Sequence, residues 1–272
     1  MSKYSGQISK LNTLLANPIE YKLPIGTKNI KLNNFIGHEI NIVFNGGINC
    51  ISCNKKIKKT FMQGFCYPCF INSPMTSECI LRPHLCKAQE GTSRDMQWSK
   101  KHCLQDHYVY LALTSNLKVG VTRKTQIPTR WIDQGAHYTI KFSKTPNRFL
   151  AGCIELEISK YISDRTQWRK MLQGDFEKIN LIEKKNELSE KISIDLQQYI
   201  SDENKILNIN YPAYKTLSKI KSINLDKTPK VSGQLTGIKG QYLIIDNKFV
   251  FNVRKYTGYI LGISFSESSY NS

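Results

Sequence analysis

The stretch from His107 to Ala136, HYVYLALTSNLKVGVTRKTQIPTRWIDQGA, carries the densest structural signal in the chain. Tyr108 to Leu113 alternates aromatic and aliphatic residues over strand length, and Leu117 to Thr122 forms a second β-branched run. Ser115 and Asn116 supply the turn between them, so the pair predicts a β-hairpin. Gly120 interrupts the second strand, where a glycine marks a bulge or a close approach by another group. Arg123, Lys124 and Arg130 follow at once. Pro128 suits a first helical position and Gly135 a C-terminal cap, which predicts a short helix bearing Arg130 and Trp131 beside the hairpin. His137 to Phe142 then alternates as a third strand. Thr145-Pro146 opens a helix through Tyr161, with Leu150, Ile154, Ile158 and Tyr161 at helical spacing and Glu155 and Glu157 carried along it.

Working outward on the N-terminal side, the cysteines come first. Cys50-x-x-Cys53 and Cys66-x-x-Cys69 are two close pairs about a dozen residues apart, a spacing that can set four thiolates tetrahedrally around zinc. The alternatives are redox CxxC motifs or buried thiols, but neither pair leads into a strand-helix pattern of the thioredoxin kind. Lys55, Lys56, Lys58 and Lys59 lie between the pairs and would project from a rigid metal knuckle towards phosphates. Cys79, Cys86 and Cys103, with His107 four residues after the last, could close a second tetrahedral site. His84 and His102 compete for the fourth position, and packed thiols remain the alternative. Cys153, among apolar helix neighbours, reads as core.

On the C-terminal side, Asp164 or Thr166 can cap a helix ending at Gly174. Asp175 to Ile200 reads as a long surface helix with a sparse stripe of Ile179, Ile182, Ile192, Leu196 and Tyr199, its charges forming a solvated face. Residues 208 to 230 are loop-like around Pro212 and Pro229. Leu235 to Phe265 returns to strands, with Gly237, Gly240, Gly258 and Gly262 as turns or bulges. The far end also repeats the near one. Ser5-Gly6-Gln7-Ile8 answers Ser232-Gly233-Gln234-Leu235, and the run ending at Phe44 answers the run ending at Phe265, with Asn33 matching Asn252 and Gly37 matching Gly258. Four segments result: β-structure over 1–48, a cysteine-rich zinc-binding segment over 49–106, an α/β domain with the long helix over 107–203, and a β-domain over 204–272 able to pair with the N-terminus.

Thirty-nine Lys and Arg against 21 Asp and Glu leave a net charge of +18, which favours a polyanionic partner, DNA or RNA, over an acidic small substrate. No apolar run reaches the roughly 18 residues a membrane helix needs, and the first residues lack a signal-peptide core, so the expectation is a cytoplasmic protein with no membrane partner. Eight cysteines without a secretion signal read as ligands or free thiols.

At the hairpin the chain resembles the GIY-YIG nuclease superfamily. Val109-Tyr110-Leu111 looks like its first motif, Lys118-Val119-Gly120 like its second with Lys118 in place of the tyrosine, and Arg130 falls at the helix arginine. That resemblance implies a metal-dependent phosphodiesterase in which Tyr110 orients water or phosphate, Arg130 stabilises transition-state charge and Glu155 holds magnesium. Lys118 would be the base if its pKa fell by several units, and otherwise a phosphate contact. Arg123, Lys124 and Trp131 would add nucleic-acid contacts. The longer string, from the cysteines through KVGVTR, PTRWIDQGA and TQWRKML to GIKGQY and KYTGY, is similar to a bacterial family known as a domain of unknown function, DUF2797. The expected architecture is α+β: a GIY-YIG-like α/β core of hairpin, helix, strand and helices, zinc knuckles, and small antiparallel β-structure formed by both termini. The functions that fit are a zinc-stabilised nucleic-acid-binding protein with a GIY-YIG-like centre, of which a metal-dependent structure-selective endonuclease is one form, a non-enzymatic RNA- or ribosome-associated factor, and, more remotely, a protein-interaction scaffold.

Overall fold

The computed structural model describes residues 2–174, 176 and 178–266 and opens with β1 (Ser2–Gln7), β2 (Asn12–Leu14), β3 (Glu20–Ile25), β4 (Lys28–Lys31) and β5 (Glu39–Ile48). In β3 the side chains of Tyr21, Leu23 and Ile25 are buried while those of Glu20 and Lys22 are exposed, the period-2 signature of a strand with one face on a core. The first cysteine pairs follow, ending in α1 (Tyr67–Asn72). The chain divides into two compact units, Met1–Phe70 with Asn210–Ser272, and Ile71–Ile209, a division that runs through the cysteine-rich stretch.

The second unit contains α2 (Met96–His102), β6 (His107–Leu113), β7 (Leu117–Arg123), α3 (Thr129–Asp133), β8 (Tyr138–Thr145) and α4 (Arg148–Ile158). It continues through α5 (Trp168–Gln173), α6 (Leu181–Ser189), α7 (Ile194–Gln197) and β9 (Leu207–Asn208). Its sheet is antiparallel in the order β7-β6-β8-β9, with the hairpin in the expected place. Val109, Leu111, Val119, Ile140 and Phe142 pack on Ala151, Ile154 and Ile158 of α4 and on Leu181 and Leu188 of α6.

Four expectations need correction here. Helix α4 starts at Arg148, because the Asn147 carboxamide accepts the Leu150 N–H at 2.9 Å and caps it, while Thr145 stays in β8. Helix α5 has Gln167 at its N-terminal cap position rather than Asp164 or Thr166, although Gly174 closes it in a left-handed conformation as expected. The single long helix over 175–200 is two short ones. Asn180 caps α6, Ile192 turns into the core, and the Glu157 carboxylate takes the Ser193 N–H at 2.9 Å, which starts α7 in a new direction. Asp175 and Glu177 lie outside the described residues. Nor is the charge run all solvated, since Lys185 is 2% exposed and donates to the Glu203 carbonyl and the Asn204 carboxamide, both at 3.0 Å.

The chain then completes the first unit with β10 (Lys221–Ser222), β11 (Lys230–Lys239), β12 (Tyr242–Ile245), β13 (Phe249–Asn252) and β14 (Tyr259–Ser266). They join β1 and β5 in one seven-stranded sheet, β1-β14-β5-β11-β12-β13-β10, beside a smaller β2-β3-β4 sheet. The internal repeat has a structural counterpart: each copy lends its first strand to the other. Strand β1 pairs with β14, β11 pairs with β5, and β5 meets β14 with the equivalent residues Ile42 and Ile263 face to face. Hydrogen bonds repeat across this relation. Gly258 N–H donates to the Ile8 carbonyl as Gly37 N–H donates to that of Leu235, and both glycines hold positive φ, 95° and 89°, after a 3-10 turn. Gly237 sits at a bulge and Gly240 in a turn, but Gly262 lies inside β14 opposite Ser5 and Val43, against expectation.

Candidate functional site

In the first unit, tight turns present the four cysteines to one another. Cys50 N–H bonds the Lys55 carbonyl across a turn holding Cys53, a second turn pairs Phe61 with Phe65 just before Cys66, and α1 carries Cys69. The four sulfurs lie within 4.8 Å of one another, and Cys53 Sγ stands 3.7 Å from Cys66 Sγ. A tetrahedron of roughly 2.3 Å metal–sulfur bonds has edges of about 3.8 Å, so the cage fits a metal such as zinc. Backbone amides prepare it. Burial opposes ionisation of Cys50, but amides of Cys53, Cys66 and Ser52 outweigh it and bring the thiol down to about 6. A hydrogen bond to Cys66 holds Cys69 up at about 12.

The second unit gathers Cys79, Cys86 and Cys103, again within 4.8 Å. Cys79 sits in one 3-10 turn, Cys86 closes another, and Cys103 ends α2, whose start is capped by Asp95 accepting the Trp98 N–H at 2.9 Å. His107 stands outside this trio of sulfurs, buried at the start of β6. Nδ1 lies 2.7 Å from the Gln105 carbonyl, which can only accept, so Nδ1 holds the proton and the buried Nε2 keeps a lone pair without a partner. Burial lowers the His107 pKa to about 4 against that carbonyl bond, leaving the ring neutral. His102 likewise places Nδ1 2.8 Å from the Trp98 carbonyl and stacks on that indole at 4.0 Å, and among the described residues none of His84, His102 and His107 joins the sulfurs in a ligand group. Cys153 likewise stands apart from both.

Arg148 was not legible as part of this site. It is buried at the start of α4, and its guanidinium donates to the carbonyls of Cys79 at 3.4 Å and His102 at 3.2 Å. Hydrogen bonds from Cys79 and Cys86, with Arg148 alongside, hold the Cys103 thiol far below its ordinary range. Helix α4 is seated on the trio just as tightly: a Cβ on Gly152 would fall 2.1 Å from the His84 amide nitrogen.

The third grouping lies on the hairpin. Tyr110 pairs with Gly120 and Ala112 with Lys118, so Tyr110, Lys118 and Gly120 share the face opposite the core face of Val109, Leu111 and Val119. Gly120 leaves no bulge in this pairing. It makes room for the Tyr110 ring, whose hydroxyl would stand 2.6 Å from a Cβ there. Helix α3 covers this face, with Trp131 5.9 Å from the Tyr110 ring and Gln134 donating to the Tyr110 hydroxyl. Glu155 of α4 acts on Tyr110 and Lys118 through its charge, and hydrogen bonding from the Val121 backbone helps hold its carboxylate.

These groups feel one another. Burial drives Glu155 up to about 7, against Lys118 and Arg130 and with Asp164, while burial and then Arg130 bring Lys118 down to about 8. Burial also raises the Tyr110 hydroxyl, against Arg130 and Gln134. Lys118 is 7% exposed and donates to the Asp164 carbonyl at 2.8 Å. Tyr110, Lys118, Arg130 and Glu155 thus share one electrostatic cluster. Gln134 and Asp164, which complete it, escaped the sequence reading, although Gln134 lies one helical turn beyond Arg130.

A family model described as protein of unknown function, DUF2797, matches residues 37–261, a span that holds both cysteine groups and this cluster. The chain belongs to that family. No curated protein and no solved structure matches it. In this DUF2797 protein the lysines at 55, 56, 58, 59 and 124 are exposed, whereas Arg123 is half-buried near Arg148 and Cys103. Trp131 corrects an expectation: at 4% exposure against Tyr110, its ring is part of the packing and offers no face to a base. Among the described residues no helix is long and apolar enough to cross a membrane.

Proposed function

We propose that this DUF2797 protein is a zinc-stabilised nucleic-acid-binding protein whose hairpin centre is directed at a phosphodiester, a GIY-YIG-like site with lysine in place of the second tyrosine. The observation that carries this is the electrostatic coupling of Tyr110, Lys118, Arg130 and Glu155, four residues on four elements, in one cluster where an acid and a base are both drawn towards neutrality. An amine with a pKa near 8 has a useful fraction of free lone pair at mildly alkaline pH, which suits Lys118 to accept a proton from water. Half-buried Arg130 offers a fixed cation to developing phosphate charge. Glu155, with Asp164 close by, supplies hard oxygen donors of the kind magnesium takes, and that ion would add charge neutralisation at the phosphate.

Zinc is the proposed occupant of the Cys50-Cys53-Cys66-Cys69 cage and of the Cys79-Cys86-Cys103 trio completed by His107, because thiolates with one imidazole are its usual structural donors. Nicking of branched or single-stranded substrates in magnesium tests the reading. Glu155→Gln is expected to abolish cleavage, and unchanged activity in that variant removes the assignment.

A second reading, an RNA- or ribosome-associated factor that binds without cutting, is favoured by the Lys118 bond to the Asp164 carbonyl, which gives the ammonium a structural task. It expects salt-sensitive binding that survives Glu155→Gln and no cleavage.

A further inference from the structure

The first metal knuckle carries a face that the hairpin cluster does not use. Phe61, just before its second cysteine pair, lies 5.3 Å from Tyr67 and 5.8 Å from Phe70, and Tyr67 is 58% exposed at the start of α1. The Tyr67 ring, set at 60° to that of Phe61 on a helix end between Cys66 and Cys69, is largely open to solvent. Lys59 Nζ sits 5.6 Å from the Phe61 ring, and Lys55, Lys56 and Lys58 are exposed on the adjoining turn. Beside the knuckle, Thr60, Gln63, Asn252, Arg254 and Lys255 line a polar hollow of about 360 Å³.

This arrangement is rigidly built. A Cβ on Gly64 would meet Ile51 at 2.8 Å and the Thr257 carbonyl at 3.1 Å, and one on Gly258 would meet the Asn49 carbonyl at 2.7 Å, so the knuckle lies directly on the turn that carries Arg254 and Lys255. The equivalent corner of the N-terminal copy, at Gly37, has nothing within 4 Å of such a Cβ. At the Gly258 corner the cysteine-bearing segment adds the Phe61, Tyr67 and Phe70 rings and its lysines.

We infer that this face binds single-stranded nucleic acid, with Tyr67 stacking on a base while Lys58, Lys59, Arg254 and Lys255 hold the flanking phosphates. The inference rests on the nucleic-acid reading above and narrows it to a strand class and a place. A base offers its face to an aromatic ring only when it is unstacked, whereas a duplex would use the cations alone. Charge complementarity to a polyanion comes from the chain's net +18.

Fluorescence anisotropy of the full metal-loaded chain with labelled oligo(U) and oligo(dT) of about 12 nucleotides, and with a duplex of the same length, tests it. At least one single strand is expected to bind about tenfold more tightly than the duplex. Tyr67→Ala is expected to weaken that binding by about tenfold, the scale of one stacked base, and Tyr67→Phe to restore it with bound metal unchanged in both. The Lys58→Gln, Lys59→Gln pair is expected to flatten the slope of log K against log salt by about 1.4, or 0.7 for each released phosphate contact. Wild-type affinity in Tyr67→Ala, or a duplex bound as tightly as the tighter of the two strands, overturns the inference and leaves the nucleic-acid reading standing. Failure to bind any of the three overturns both.

Discussion

Replacing Gly120 with alanine tests whether the hairpin face is built around Tyr110. In an ordinary strand the change is favourable by roughly 0.5–1 kcal/mol, because alanine has less backbone freedom to lose. Here the new methyl would stand 2.6 Å from the Tyr110 hydroxyl oxygen and 2.8 Å from the adjacent ring carbon, inside any real contact distance. The ring has nowhere to go, since Tyr110 is 1% exposed, packed against Trp131 and tied to Gln134. Overpacking of this kind costs roughly 1–3 kcal/mol, or a fall in melting temperature of about 3–12 °C. All three tryptophans, Trp98, Trp131 and Trp168, belong to the unit Ile71–Ile209, so tryptophan fluorescence during urea unfolding reads that unit selectively. The same substitution in a Tyr110→Ala background should be neutral or stabilising, giving a coupling of about 1–3 kcal/mol. An alanine variant as stable as the parent, or an equal cost in both backgrounds, refutes the steric account of Gly120.

Other expectations follow from the same contacts. The folded-state pKa of Glu155, about 7 against an ordinary 4.5, means its contribution is fully present below pH 4.5 and lost as pH rises through 7. Glu155→Gln should therefore gain stability relative to the parent across that window by up to roughly 3 kcal/mol, and parallel pH curves for the two proteins would show the carboxyl to be solvated. Elemental analysis should find two zinc ions per chain, with Cys50→Ser or His107→Ala each losing one; a full complement in His107→Ala would remove the imidazole from the second site. Gly152→Ala should expel the Pro83–Leu85 turn from α4 and destabilise by about 3 kcal/mol or more, read as lost metal and lowered melting temperature, and a wild-type melt would contradict that seating. Lys185→Met should cost roughly 1–3 kcal/mol by stranding the Glu203 carbonyl and the Asn204 carboxamide, and unfolding in urea unaltered by it would show that water replaces the ammonium.

Much of this molecule was readable along the chain because its signals are local. Hairpin alternation, the two CxxC pairs and the short helix closing at Gly135 each need only neighbours within a dozen residues. The internal repeat was legible as matched glycines and asparagines. Its consequence, the exchange of first strands between copies, was not, because a strand's partner depends on which edge the rest of the sheet leaves free. The misread helices have one cause. Thr145-Pro146, Asp164 and Thr166 are acceptable starts on local grounds, but packing chose Asn147 and Gln167, and burial of Ile192 with capture of Ser193 by Glu157 broke the expected long helix.

Residue type and spacing by themselves determined the α+β character, the metal-binding potential of the cysteines and the strongly basic charge, since each follows from covalent chemistry and short-range geometry. The tertiary structure alone decided that the charges of Glu155 and Arg130 act on Tyr110 and Lys118, that Trp131 is buried, and that Arg148 bonds the backbone of the second cysteine group. Those outcomes depend on elements distant in sequence excluding water from one another. It is that exclusion, absent from any linear pattern, which moves the Lys118 and Glu155 pKa values towards neutrality.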